Sequence, residues 1–342
     1  MLKRFIQSAV ALSVVLAATG VQAQPKSATI DAIKARGEFK CGIYESVPGL
    51  ATLNDKGEWV GFDVDYCRAM AAAFLGDGKK VQFVKLTFAQ GMPALRSGEI
   101  DMAALAITYT IQRDTELGFD FIGPTLFSGH GFMVNKKTGA SKLADLNGAT
   151  ICIVAGTITE SLIADYFRPR NLSFKPVAIE TSSQIMPMYE QGRCDVVTLE
   201  PPFLAMRRAR LKNPEDHVIL PDMFAKSYMG PVIREDDRVY SNAARWVHYA
   251  LITAEELGIN ADNVEQMKSS KNPDVRRFLG VEGNIGSKMG LSDDFTVNII
   301  KAVGNYGDIW DRSYGMKSPG KLPRGINALA RDGGLQFAPN WR

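Results

Sequence analysis

The sequence lacks the features that would place it among membrane, nucleic-acid-binding or metal-binding proteins. Beyond residue 18 no apolar run approaches the roughly 20 residues that a transmembrane helix needs. No block of like charge suggests a nucleic-acid or anionic-membrane partner. The three histidines are scattered and no C-x-x-C pair occurs, which argues against a metal site. We therefore expect a mature chain that is soluble and binds no metal or other cofactor.

Motifs of catalysis and nucleotide hydrolysis are also missing. The sequence has no G-x-S-x-G, its histidines have no evident partners, and no G-x-x-x-x-G-K-[ST] loop occurs. These absences argue against a catalytic nucleophile and against ATP hydrolysis by this chain.

The first 23 residues have the three parts of a secretory signal peptide. Lys3 and Arg4 give a positive start, an apolar run follows from Phe5 to Ala18, and small residues precede Gln24. A buried N-terminal helix or an uncleaved anchor is the alternative. We predict cleavage after residue 23 and a periplasmic protein. Its formal charge would fall from +3 to +1, because the two basic residues are removed.

Apolar strand candidates alternate with helical patterns in two successive units. The predicted strands cover residues 39–43, 81–84 and 100–106, then 150–154, 175–179, 195–199 and 217–220. The predicted helices cover residues 64–75 and 91–97, then 141–146, 159–167, 183–191 and 202–211. We take Asp63 as the N-cap of the first of these helices. This βαβαβ order predicts an α/β fold with a largely parallel sheet, flanked by helices, in each unit.

Two extended segments flank the second unit, at residues 127–136 and 226–234. We interpret them as hinge strands that join two lobes. The first lobe would then span 24–128 and the second 129–230. A simple two-domain chain with one linker is the alternative.

The chain after the second extended segment, residues 231–342, is predicted to return to the first lobe and to end in a helical extension. Helices are predicted near residues 237–257, 264–278 and 293–313.

Four cysteines lie in the mature chain: Cys41, Cys67, Cys152 and Cys194. An even number in an exported protein favours disulfides, and sequence alone permits three pairings. We favour Cys41–Cys67 and Cys152–Cys194, because each pair stays within one predicted lobe.

The candidate site lies in the loops at the carboxyl ends of the predicted strands, where open α/β sheets form their ligand crevice. These loops begin near Tyr44, Ala106, Gly156 and Glu200.

The loop after Ala106 offers groups that suit a carboxylate. Thr108 supplies a hydroxyl, and Arg113 supplies a planar fork of donors. A helix predicted to start here would add free amides. The alternative is a surface arginine paired with Asp114 or Glu116.

Two further loops belong to the second unit. Gly156 permits a tight turn whose following amides suit an anion, although Thr159 with Glu160 is also consistent with a simple N-cap. Glu200 lies just past a predicted strand, before two prolines that start a helix. Its carboxylate suits a ligand ammonium, and a solvated acid at a helix start is the alternative.

A set of short segments identifies a family resemblance. The segments are GFDVD at 61–65, SGEID at 97–101, TIQRD at 110–114, GRCD at 192–195, NPEDHVILP at 213–221 and IKAVGNYG at 300–307. Together they resemble the family 3 extracellular solute-binding proteins, and more narrowly the long general L-amino acid receptors of polar amino-acid ABC importers. The resemblance covers about residues 30–342, and the four cysteines lie where that subgroup has them. It implies the two-lobed type II periplasmic-binding-protein fold, a small amino-acid-like carboxylate ligand, permease subunits as partners, and a monomer.

The resemblance also implies which residues contact the ligand. Arg113 and Thr108 match positions that hold the α-carboxylate, and Glu200 matches the position of the acid that meets the α-ammonium. The remaining matching positions are Tyr44, Phe62, Ala106, Thr157, Ile158 and Thr159.

Three of these positions depart from the family pattern. Ala106 stands where serine or asparagine is usual, Ile158 where threonine is usual, and Glu200 where aspartate is usual. A lost hydroxyl leaves a buried ligand atom unpaired, at about 1–3 kcal/mol each. We therefore expect a ligand that keeps the carboxylate but is larger or more apolar than usual, or has its amine placed differently.

Two other functions remain open at this point. Some relatives of this fold are periplasmic dehydratases of cyclohexadienyl acids, in which Glu200 would be the general acid. The C-terminal segments resemble transport receptors instead, which favours binding over catalysis. A receptor that presents its ligand to a sensor protein is the third possibility.

Overall fold

The computed structural model describes residues 26–44 and 46–342, so the predicted signal peptide lies outside the described residues. The strands are β1 (Phe39–Tyr44), β2 (Thr52–Leu53), β3 (Trp59–Val60), β4 (Val81–Leu86), β5 (Met102–Ala104), β6 (Phe119–Phe121), β7 (Leu126–Asn135), β8 (Ala149–Val154), β9 (Phe174–Ile179), β10 (Val196–Leu199), β11 (His217–Ile219), β12 (Ala225–Met229) and β13 (Val232–Arg234). The helices are α1 (Ala28–Arg36), α2 (Phe62–Leu75), α3 (Phe88–Ser97), α4 (Ile111–Thr115), α5 (Thr159–Phe167), α6 (Ile185–Glu190), α7 (Pro201–Arg208), α8 (Arg238–Glu256), α9 (Val264–Met267), α10 (Pro273–Phe278), α11 (Phe295–Val303) and α12 (Tyr306–Ser313).

Each of two sheets has a parallel core, as the βαβαβ order predicts. The first has the order β4-β1-β5-β13-β6, and β13 runs against both of its neighbours. The second has the order β11-β7-β10-β8-β9, and β7 runs against β10 and β11. In each sheet, therefore, one antiparallel strand lies among parallel ones. We call the two α/β bodies built on these sheets the first and second lobes.

The chain passes between the sheets twice. It leaves the first sheet after β6 and enters the second through β7, and it returns from β12 to β13. β12 also pairs with the first half of β7, from Leu126 opposite Met229 to His130 opposite Ala225. The two extended segments predicted as hinges therefore lie side by side. The side chain of Asn327 bonds the backbone of one of them, accepting from the Phe127 amide at 2.7 Å and donating to its carbonyl at 2.9 Å.

The C-terminal third packs onto the first lobe, because α8, α11 and α12 share one core with α2 and β1. Two helices predicted there are each broken in two. The first break lies at 268–272, where Asn272 caps a new helix that starts with Pro273. The second is at Gly304, whose φ of +70° is left-handed, followed by the capping box of Asn305 with Asp308. Both breaks coincide with local helix-boundary residues, Asn272-Pro273 and Gly304-Asn305, which the broader helical pattern did not take into account.

The start of α2 differs from the prediction. The helix begins at Phe62, and Asp63 is not its N-cap but lies buried in its first turn. The residue before it, Gly61, has a φ of +136°, and a Cβ there would lie 2.3 Å from the Leu50 carbonyl oxygen. Only glycine fits this entry into the helix.

A smaller difference is that the predicted helix at 141–146 is a short 3-10 helix, Leu143–Leu146.

Both disulfides join the predicted pairs. Cys41 bonds Cys67 with a Cα separation of 5.9 Å, and Cys152 bonds Cys194 with a Cα separation of 5.5 Å. The first ties β1 to α2 inside the first lobe. The second ties β8 to the segment just before β10 inside the second lobe.

None of the helices within residues 26–44 and 46–342 combines the length and the apolarity that spanning a membrane would need.

Candidate functional site

A cavity of about 60 Å³ lies between the lobes, at the carboxyl ends of the parallel strands. Eight of the nine predicted ligand-contacting residues line it. They are Tyr44, Ala106, Thr108 and Arg113 from the first lobe, and Thr157, Ile158, Thr159 and Glu200 from the second. The four loops predicted from strand ends thus meet in one place, and their role in binding stays a prediction.

Phe62 is the exception and does not line the cavity. Its side chain is 0% exposed and packs among three tyrosines, Tyr66, Tyr306 and Tyr314, with ring centroids 5.3–5.9 Å away. The reason is its place as the first residue of α2, whose N-terminal turn points into the first-lobe core. The prediction that Phe62 forms part of the cavity wall is therefore wrong.

Arg113 is a half-buried guanidinium fixed by neutral groups. Its Nη1 donates to the Thr108 carbonyl at 2.8 Å, and the guanidinium lies 4.8 Å from the centre of the Phe88 ring. The alternative partner Asp114 instead accepts the Tyr109 hydroxyl at 2.9 Å. Among the described residues no carboxylate oxygen lies within 4.0 Å of the Arg113 guanidinium. Burial lowers the pKa of Arg113, and the nearby Tyr44 opposes that shift.

The helix predicted to begin near Arg113 adds little of its own. α4 has five residues, and the Arg113 amide is already bonded to the Thr110 hydroxyl at 3.2 Å. The Arg113 amide is therefore not free for an anion, while the contribution of the other amides at this helix start stays a prediction.

A hydrogen-bonded group joins the lobes across the cavity. The Thr108 and Ser227 hydroxyls lie 3.3 Å apart, and Ser227 donates to Glu200 Oε1 at 3.2 Å. Glu200 is 6% exposed, which excludes the alternative of a solvated acid. It immediately precedes α7, and Pro201 and Pro202 fix the direction in which that helix leaves the cavity.

His130 adds a second polar group beside Glu200. It belongs to β7, is 3% exposed, and has its Nε2 3.7 Å from Glu200 Oε1. Neither ring nitrogen has a hydrogen-bond partner among the described residues. A buried imidazole normally has one, so this ring is available to a ligand.

The backbone of the first lobe is strained where it lines the cavity, at Ala106. Ala106 has a φ of +48°, a left-handed conformation that costs an alanine free energy. Its amide donates to Asp63 Oδ2 at 3.2 Å. Burial raises the pKa of Asp63 to about 7, and the bond from Ala106 opposes the shift. Burial also raises the pKa of Tyr44, with Glu200 adding to the effect, so its phenol stays protonated and able to donate.

The second-lobe turn is built by Gly156, whose φ is +77°. Thr157 closes the turn by donating its hydroxyl to the Val154 carbonyl at 2.8 Å. Thr159 is the first residue of α5 and not its N-cap, which is Ile158. An isoleucine has no cap acceptor, so the N-cap side chain does not satisfy the first-turn amides of this helix.

The sequence reasoning missed Arg207, which also lines the cavity and is 4% exposed. Its Nη2 donates to Ser182 Oγ at 2.6 Å and its Nη1 to the Phe203 carbonyl at 3.5 Å. Burial lowers the pKa of Arg207 to about 10, with Glu200 opposing the shift, so the group is charged at neutral pH. The available signal was its spacing, since residue 207 lies two helical turns after Glu200.

A second space of about 330 Å³ adjoins this cavity. The two share Tyr44, Phe88, Val154 and Ser182, and the second also has Gln90 and Glu180 in its wall. The stretch Phe88–Met92 is more apolar than the family pattern, and the strand before it ends at Leu86 and not at the predicted residue 84. The site therefore has room for a ligand that extends beyond the inner cavity.

The chemistry of the lining suits a zwitterion more than a metal. Two guanidiniums, one carboxylate and several hydroxyls face one space. The described residues contain no group of three or more His, Cys, Asp or Glu side chains that would hold a metal ion.

Comparison with known proteins gives a consistent set of similarities. Residues 39–209 match the model of the bacterial extracellular solute-binding proteins, family 3. The chain is 43% identical to a general L-amino acid-binding periplasmic protein of Rhizobium johnstonii, over 96% of this chain and 97% of that one. It is equally identical to a glutamate/glutamine/aspartate/asparagine-binding protein of Rhodobacter capsulatus, over 96% and 98%.

A solved structure resembles the chain over most of its length. It is an ABC transporter periplasmic binding protein from Brucella ovis with glutathione bound. The two are 46% identical with a TM-score of 0.89, covering 92% of this chain and 99% of that one.

Proposed function

Because the chain belongs to the bacterial extracellular solute-binding proteins of family 3, we propose that it is the periplasmic receptor of an ABC importer and captures an amino-acid-like carboxylate ligand between its lobes. The fold is the two-lobed type II periplasmic-binding-protein fold. We place the lobe boundaries near residues 128 and 230, where the chain passes between the sheets. Permease subunits would be its partners and the monomer its working form.

The observation that carries this proposal is the pair of charges facing the cavity from opposite lobes. Arg113 belongs to the first lobe and Glu200 to the second, and among the described residues the imidazole beside Glu200 is the only ionisable group of opposite type within 4.0 Å of either. An α-amino acid has a carboxylate and an ammonium to place against them. A guanidinium binds the carboxylate through two parallel hydrogen bonds. Closing the lobes on such a ligand would pair both buried charges at once.

The ligands in the relatives' names share this chemistry. They include glutamate, glutamine, aspartate and asparagine, and the similar solved structure holds glutathione. Each has an α-carboxylate next to an α-ammonium. We propose that the ligand of this chain is an α-amino acid or a small peptide that keeps both groups. The second space beside the cavity leaves room for a longer ligand, so a ligand screen should include peptides.

A thermal-shift screen tests the function directly. The mature chain is mixed with the twenty amino acids, glutathione and a set of simple organic acids. A ligand that binds only the folded protein stabilises it by about 2.7 kcal/mol at a hundred times its Kd. We expect an increase in Tm with at least one α-amino acid or γ-glutamyl peptide. No increase with any of these compounds would contradict the proposal.

Hinge closure is a second expected outcome. The pair β7 and β12 joins the lobes, and the ligand would bond to both sides of the cavity. We expect small-angle scattering to show a smaller radius of gyration when the ligand identified by the screen is added to saturation. The Arg113→Ala variant at the same ligand concentration is the control and should stay open. An unchanged radius in the saturated wild-type protein would count against closure.

We also propose that binding occurs without chemical change. The relatives are binding proteins and not enzymes. Glu200, the acid that a dehydratase would need, already accepts a hydrogen bond from Ser227. Recovery of the ligand unaltered, by mass spectrometry after prolonged incubation, is the expected result. Conversion of an added cyclohexadienyl acid would favour the enzyme instead.

A further inference from the structure

We propose that the ligand has a second acidic group and that Arg207, together with Ser182, binds it. This inference rests on the proposed function and narrows its ligand class. The proposed ligand is an acidic amino acid or a small peptide with two carboxylates and one ammonium. Arg207 is then a specificity-determining residue.

The charges that line the cavity do not balance for a neutral amino acid. Among the described residues that line the cavity, and apart from His130, the side chains that carry a full charge are those of Arg113, Arg207 and Glu200. If Arg113 pairs with the α-carboxylate and Glu200 with the ammonium, the guanidinium of Arg207 is left over. A buried charge without a partner costs several kcal/mol. A second carboxylate on the ligand would provide that partner.

The contacts of Arg207 leave room for such a group. A guanidinium has five N–H donors, and among the described residues Arg207 donates one bond to Ser182 Oγ and a long one to the Phe203 carbonyl. Both acceptors are neutral. Within the described part of the chain no carboxylate oxygen lies within 4.0 Å of this guanidinium, Glu200 included. The remaining donors can therefore bond an acid at the cavity surface.

Contacts within the protein hold the Arg207 side chain in place before a ligand binds, which lowers the entropy cost of binding. Glu200 is the N-cap of α7 and residue 207 lies about two turns later, so the two lie on the same side of the helix. Ser182 holds the guanidinium from the loop that follows β9. Ser182 also lines both the inner cavity and the adjoining space. The second acid would thus lie on the second-lobe side, where the two spaces meet.

The test compares acids with their amides in wild-type protein and in an Arg207→Gln variant. Calorimetry is done with three pairs of increasing length: L-aspartate and L-asparagine, L-glutamate and L-glutamine, and γ-glutamylglycine and its glycinamide. In at least one pair the wild-type protein should bind the acid about tenfold or more tightly than the amide. Arg207→Gln should remove that preference. It should lower the affinity for the acid about tenfold or more and the affinity for the amide by less than about threefold.

Two controls separate this inference from a folding effect. Arg210→Gln makes the same change three residues later, at an exposed position outside the cavity, and should bind both members of each pair like the wild type. The Tm of the ligand-free Arg207→Gln variant reports any loss of stability.

The possible outcomes are distinguishable. If the amides bind as tightly as the acids in every pair, or if Arg207→Gln keeps the preference, the second acidic site is wrong while the receptor function stands. The second acidic site is equally wrong if only ligands with one carboxylate bind. If no compound in the screen or in these pairs binds, the proposed function itself fails.

Discussion

Arg113→Ala is expected to weaken ligand binding by about 2–5 kcal/mol, or roughly 30-fold to several thousand-fold. The guanidinium faces the cavity, is held by the Thr108 carbonyl and the Phe88 ring, and has no carboxylate partner among the described residues. Removing it would leave a buried ligand carboxylate without its charged donor. Calorimetry with the ligand identified by thermal shift measures the loss.

Arg113→Lys separates the geometry of the group from its charge. Lysine keeps the positive charge but cannot donate two parallel hydrogen bonds or hold its place against the Phe88 ring in the same way. We expect an affinity between those of the wild type and Arg113→Ala. A lysine variant as weak as the alanine variant would show that the planar fork, and not the charge, dominates.

Arg96→Ala is the matched control for this prediction. Arg96 is an exposed arginine of the same lobe whose guanidinium lies 5.5 Å from the centre of the Phe119 ring, much as Arg113 lies against Phe88. It is outside the cavity, so its removal should leave affinity unchanged. If Arg113→Ala itself bound with near wild-type affinity, the ligand would lie elsewhere in the protein.

The loops at the ends of strands are the part of the site whose position the sequence predicts. The loops near Tyr44, Ala106, Gly156 and Glu200 are predicted to meet because parallel strands bring their carboxyl ends to one edge. The structure places all four loops around the crevice between the lobes. Alternation of apolar strands and helical patterns, which are both local properties, was enough for this. The disulfide pairs followed from the same lobe division.

The errors arose where packing between distant residues decides the outcome. Phe62 lies in the segment that resembles the family, but whether an aromatic ring faces a cavity or a core depends on the partners that surround it. Here two of its three tyrosine partners, Tyr306 and Tyr314, lie more than 240 positions later in the chain. Local patterns contain no information about such contacts.

Arg207 was missed for a related reason. An arginine on an amphipathic helix most often extends into solvent, and its neighbours Arg208 and Arg210 do not line the cavity. Arg207 differs from these two arginines because its side chain is buried against Ser182, a residue of another element of the lobe. The spacing from Glu200 would have placed it on the cavity side only if the helix direction had been known. That direction is set by the two prolines after Glu200.

Glu200→Gln is expected to have the second large effect, a loss of roughly 30-fold or more in affinity for an α-amino acid ligand. The substitution keeps the size of the side chain and its ability to accept the Ser227 hydroxyl, so the fold should be preserved. What it removes is the charge that would meet the ligand ammonium in a buried space. The Tm of the ligand-free variant, measured beside the wild type, checks that stability is unchanged.

The informative comparison uses the ligand with and without its amine. Wild-type protein should bind the desamino analogue much more weakly than the amino acid, while Glu200→Gln should bind the two with similar affinity, because the partner of the ammonium is gone. Glu200→Asp retains the charge but moves it back by one methylene, and should lose less than the glutamine variant. If Glu200→Gln instead binds the amino acid as tightly as the wild type, no ammonium faces this carboxylate. The ligand would then be a carboxylate without an amine at that position, held by the arginines alone.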